Sequence, residues 1–160
     1  MDCLCVLKNK PDAMAEIKGS EKFCRIKGCA RFYQTKCGVL VKIQVSGLPK
    51  ENEACKNPVF ALHIHSGSTC QGNNEDPFAD VMTHYNPNEC PHPYHAGDLP
   101  PLFGNNGNAF AVFLTDRFKV SEIVGKTIII HSNPDDFTTQ LSGNSGAKIA
   151  CGEIVECLIS

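Results

Sequence analysis

The stretch GVLVKIQVSGLP, Gly38 to Pro49, alternates without a break. Val39, Val41, Ile43 and Val45 point one way, and Leu40, Lys42, Gln44 and Ser46 the other. A strict period of two is the mark of a strand with one buried face. Working outward, Ala13 to Lys18 and Cys29 to Tyr33 read as strands closed by turn residues. Val59 to His65, Ala109 to Leu114, Thr127 to His131 and Lys148 to Val155 follow, with Phe118 to Val124 as a shorter candidate. No window carries a helical stripe with caps. Short strands separated by turns, in a chain of 160 residues with 13 Gly and 10 Pro, predict one all-β antiparallel sandwich or barrel. Two intervals, Ser66 to Asn108 and Ser132 to Ala147, are too long for hairpins, and loops of that length in a compact domain usually carry function.

Composition excludes several classes. Net charge is −2, and no run of basic residues suits a nucleic acid. The apolar runs, such as Ala109 to Leu114, are too short to span a bilayer. The first residues lack the basic and apolar regions of a secretory leader, so a cytoplasmic location is expected. Ten cysteines are present, but not as paired CxxC knuckles, so most are expected to be free thiols. Cys90, two residues from His92, is expected to be a loop thiol, with pairing to another cysteine as the alternative.

All six histidines sit on or beside the two long loops. His63 and His65 are two apart on a predicted strand and therefore share a face. His84, His92 and His95 lie in the first long interval, followed by Asp98, and His131 ends the strand TIIIH. Imidazole suits copper and zinc, and a carboxylate suits zinc. Taken singly, each histidine is as readily a packed or solvated residue. Taken together, with none spent elsewhere, they argue for a metal site.

The segments FALHIHSGSTC (60–70), HYNP (84–87), HAGDLPPL (95–102), VGKTIIIHSNPDD (124–136) and GNSGAKIACG (143–152) resemble, in type and order, the copper/zinc superoxide dismutase family. The resemblance runs from about Ala13 to Val155, and the shortened zinc loop, with His92 and His95 three apart, suits a bacterial-like branch. It implies an eight-stranded antiparallel Greek-key β-barrel with two long functional loops, spanning 1–160 as a single domain with 1–12 as an N-terminal extension. It also implies dismutation of superoxide to dioxygen and hydrogen peroxide by a redox-cycling copper, joined through a histidine imidazolate to a structural zinc. A copper- or zinc-storage protein of the same fold is the alternative.

By the same resemblance, His63, His65, His84 and His131 are the copper ligands. His84 is shared with zinc, which also takes His92, His95 and Asp98. Asp135 ties copper and zinc histidines together, Cys70 and Cys151 form a disulfide, and Lys148 and His84 serve catalysis. Lys148 stands where the family usually has an arginine, keeping the charge but losing the fork of donors. Ala61 replaces a common glycine before the H-x-H pair. Superoxide is the implied small-molecule partner, with no nucleic acid or membrane, and a homodimer is allowed because family members occur both as dimers and as monomers.

Overall fold

The computed structural model describes residues 3–50 and 58–157. Cys55 and the first two residues of the N-terminal extension lie outside that range. Among the described residues the strands are β1 (Ala13–Gly19), β2 (Lys27–Thr35), β3 (Gly38–Ser46), β4 (Val59–His65), β5 (Asp98–Phe103), β6 (Asn108–Thr115), β7 (Thr127–His131) and β8 (Lys148–Glu156). Two single-turn helices accompany them, α1 (Cys3–Val6) and α2 (Val120–Ile123).

The eight strands form one antiparallel sheet in the order β5-β4-β7-β8-β1-β2-β3-β6. Consecutive β1, β2 and β3 pair as a meander, whereas β3 pairs with β6 and β4 with β7, the long-range crossovers of a Greek key. The edge strands β5 and β6 approach each other, nearly closing the barrel. Val39, Val41, Ile43 and Val45 line the core, as their alternation requires, beside Phe32, Phe60, Leu62, Ile128, Ile130 and Ile154. Each such side chain contributes roughly 1.5–3 kcal/mol on burial.

β4 and β7 differ from β3 in having both faces covered, and nearly every residue of each is buried. Ile128 and Ile130 enter the barrel, while Ile129 joins Phe78, Val81 and Cys151 in a second cluster outside it. Across the ladder, Ile129 pairs with His63. The outer face of β4 and β7 is therefore a floor on which the first long loop lies, and that floor carries the histidines.

Two sequence readings need correction. Phe118 to Val124 is not a strand. The Lys119 amide donates to the Glu122 carboxylate at 2.6 Å, a cap that starts α2, and Val120 and Ile123 bury one face of its single turn. The interval Ser66 to Asn108 is not wholly irregular, because Asp98–Phe103 forms β5. Pro100 and Pro101 hide that strand in the sequence. They are tolerated because β5 lies at the sheet edge.

Candidate metal centre

The first long loop is stitched to the end of β4 by backbone hydrogen bonds. Tyr85 donates to the Ile64 carbonyl and Ile64 to the Gly97 carbonyl, both at 2.8 Å. Ser66 donates to Thr83 at 2.9 Å and Gly67 to Val81 at 2.8 Å. This stitching sets His84 against His65. The second loop returns His131 to the same face, and the Ala61 amide, at a bulge in β4, donates to the Asn133 carbonyl at 2.8 Å. Ala61 is fully buried there.

His63, His65, His84 and His131 each bring one ligand atom within 4.8 Å of the others, and so do His84, His92, His95 and Asp98. All seven residues are buried, and His84 belongs to both groups. The partners of the opposite ring nitrogens decide which atoms face inward. His65 Nδ1 meets the Met82 carbonyl at 2.9 Å, and His131 Nδ1 meets the Gly146 carbonyl at 3.3 Å. A carbonyl only accepts, so the proton sits on Nδ1 and the Nε2 lone pair is left free. The two Nε2 atoms face each other at 3.3 Å.

His63 is turned the other way. Its Nε2 donates to Asp135 Oδ2 at 2.7 Å, leaving Nδ1. His92 Nε2 likewise donates to Asp135 Oδ1 at 2.8 Å, leaving its Nδ1 3.1 Å from Asp98 Oδ2. Asp135 thus spans the two groups through one carboxylate. His84 differs from both, with Nδ1 beside Asp98 Oδ1 at 2.8 Å and Nε2 without a partner.

Among the described residues, the buried side-chain nitrogens that make no hydrogen bond are His63 Nδ1, His84 Nε2 and His92 Nδ1, the last close to Asp98 Oδ2 but not bonded to it. Orphaned polar atoms in a buried site are costly, and each of these points into a ligand group. The donor set therefore fits two metal ions.

Electrostatics agree. Burial is the main force lowering the imidazoles, pushing His65 down to about 2 and His131 to about 3, with His63 and His95 also lowered. They stay neutral, the form that ligates. Burial acts to raise Asp98, but the hydrogen bond from His84 and the other histidines around it win and hold it low. Asp135 is held at about 2 in the same way, by His63, the Phe137 amide and His92.

Two supporting residues, Arg117 and Gln140, were not picked out in the sequence. Arg117 Nη1 donates to the carbonyls of Pro93 at 2.8 Å and His95 at 2.9 Å, clamping the 92–98 turn. Gln140 donates to the His92 carbonyl at 2.7 Å and accepts from its amide at 2.9 Å, joining the two long loops. Cys70 and Cys151 form a disulfide tying the first loop to β8. Cys90 is a half-buried free thiol bracketed by Asn86. Lys148, the ladder partner of His131, lines one cavity with His65, His84 and His131. No helix among the described residues is long and apolar enough to cross a membrane.

Two buried ligand groups sharing one histidine, on the outer face of a Greek-key barrel, define a dinuclear metalloprotein. The model of the family described as copper/zinc superoxide dismutase (SODC) matches residues 26–154. The chain belongs to that family, whose metals are copper and zinc. It is 30% identical to Superoxide dismutase [Cu-Zn] 2 of Aquifex aeolicus, with 89% of this chain and 85% of that one covered. It is 32% identical to Superoxide dismutase [Cu-Zn] of Deinococcus radiodurans, over 80% and 76%. The crystal structure of a double mutant of a SOD-like protein from Bacillus subtilis superimposes with a TM-score of 0.72 at 27% identity. The match covers 89% of this chain and 96% of that one.

Proposed function

We propose that this chain dismutates superoxide, two anions and two protons giving dioxygen and hydrogen peroxide. In this reading His63 Nδ1 and the Nε2 atoms of His65, His84 and His131 hold copper. The Nδ1 atoms of His84, His92 and His95, with an Asp98 oxygen, hold zinc. The observation that carries it is the set of orphaned nitrogens His63 Nδ1, His84 Nε2 and His92 Nδ1, together with two ligand groups that meet at one ring. Storage of either metal needs no shared histidine.

Copper, when bound, supplies the one-electron couple, and zinc, which has no redox chemistry, supplies a fixed charge. The protein's own groups do the rest. Backbone carbonyls at Met82 and Gly146 fix the tautomers of His65 and His131. Asp135 orients His63 and His92 and raises their basicity. His84 is the ring that can hold or release a proton at Nε2, beside the cavity. Lys148 offers a cation to an incoming anion in that cavity.

The test is metal content and superoxide consumption of chain reconstituted with copper and zinc. Native chain is expected to take up both metals and consume superoxide catalytically. His84→Ala should lose both metals, whereas Asp98→Ala should lose zinc first and keep copper. Equal zinc loss with copper retained in both variants would remove the shared role of His84, and a fully loaded chain without activity would remove the dismutase reading.

A further inference from the structure

Lys148 is not a free cation. Its Nζ donates to the Phe78 carbonyl at 2.8 Å and pairs with Asp76 Oδ2 at 2.5 Å. The side chain is only 17% exposed. Asp76, whose side chain is 39% exposed, is held through its turn. Its Oδ1 accepts from the Phe78 amide at 3.0 Å, and its own amide donates to Asn73 Oδ1 at 2.9 Å. Its carbonyl accepts from the amides of Asn73 at 2.9 Å and Ala79 at 3.1 Å. The turn is anchored beneath by Phe78 and Val81 against Ile129, and at one end by the Cys70–Cys151 disulfide. A carboxylate that swung away would give up the Phe78 amide as well as Lys148.

An ammonium has three donors. Phe78 and Asp76 take two, leaving at most one for an anion in the cavity that Lys148 lines with His65 and His131. The Asp76 charge also cancels much of the Lys148 field. We propose that Asp76 is a positioning residue that fixes Lys148 and mutes its charge, so that the centre holds anions less tightly than an unpaired lysine would. This rests on the reading of Lys148 as the cation beside copper. A muted cation suits a small, short-lived anion such as superoxide, which must arrive and leave, and it works against retention of resident anions such as phosphate or azide.

Asp76→Asn separates charge from shape, since the amide oxygen still accepts from Lys148. Two binding measurements that involve no turnover read the result. One is azide affinity of the copper- and zinc-loaded chain, followed by its visible absorption. The other is inorganic phosphate affinity of the metal-free chain, followed by the Lys148 amide resonance. Removing the charge that is paired with Lys148 should tighten both by about three- to tenfold at low ionic strength. At about 0.5 M salt, with a Debye length of about 4 Å, the difference should shrink to about twofold or less. Asp76→Glu, which keeps the charge, should restore native affinity, and Asp76→Ser gives a second neutral variant should the first fold poorly.

Unchanged or weaker anion binding in the neutral variants would overturn the role of Asp76, even if the chain dismutates superoxide normally. A chain that shows the affinity shift yet leaves superoxide untouched would overturn the dismutase reading and keep Asp76 as the brake on Lys148.

Discussion

Gly143→Ala and Gly125→Ala make the same chemical change at two backbones of nearly the same conformation. Gly143 has φ +65° and Gly125 φ +79°, both in the left-handed region. An alanine there costs roughly 1–2 kcal/mol, partly offset by a stiffer unfolded chain. Nothing lies within 4 Å of a Cβ on Gly125, so about 1 kcal/mol is the whole expected loss there. A Cβ on Gly143 would run into the Asp135 carboxylate and stand 2.7 Å from His92 Nε2. The backbone has little room to yield. The Gly143 amide donates to Thr139 at 2.8 Å, and its carbonyl accepts from Asp136 at 2.9 Å.

Asp135 must therefore move, and the His92 hydrogen bond is the contact at risk. Losing a bond to a charged acceptor adds about 1.5–3 kcal/mol, for a total near 3 kcal/mol. If His92 holds zinc as proposed, displacing its outer partner should lower zinc affinity about 10- to 100-fold. Urea denaturation of the metal-free variants and zinc titration against a competing chelator at neutral pH measure both quantities. If Gly143→Ala loses no more stability than Gly125→Ala and binds zinc like the native chain, Asp135 does not depend on the space above Gly143, and the reasoning fails.

Acid should destabilise the metal-free chain from just below neutrality. His65 and His131 titrate far lower in the fold than the ordinary value near 6.5, so between those limits the unfolded chain binds more protons. Stability is then flat above about pH 6.5 and falls below it by about 1.4 kcal/mol per pH unit per group. Urea denaturation should show a loss of about 2 kcal/mol or more between pH 7.5 and 5.5, and a flat profile would contradict the burial of these rings. The lowered carboxyls of Asp98 and Asp135 add their own loss only at lower pH, as they protonate. Replacing both Cys70 and Cys151 by Ser opens a cross-link between residues 81 apart. Loop entropy sets the expected cost at up to about 4 kcal/mol, and a thermal or urea midpoint that hardly moves would show that the unfolded chain gains little freedom.

Legibility in the sequence followed the range of the interaction. The β3 alternation is local, so Gly38 to Ser46 identified itself. His63 and His65 were legible as a pair because a strand places i and i+2 together. The β5 strand was hidden because its two prolines are penalised everywhere except at an edge, and edge position is a property of the finished sheet. Phe118 to Val124 misled because one helical turn is too short to show its period. Arg117, Gln140 and Asp76 act through carbonyls and charges brought near by folding. A side chain bound to distant backbone leaves no spacing rule in the sequence.

Asp135 carries one more consequence. A single carboxylate grips His63 with one oxygen and His92 with the other, so an ion that orders either ring also orders its neighbour's. Such coupling is thermodynamically symmetric: whatever factor zinc adds to the affinity for copper, copper must add to the affinity for zinc. The final balance is then independent of loading order, and removing one ion changes the hold on the other by the same ratio whichever is removed.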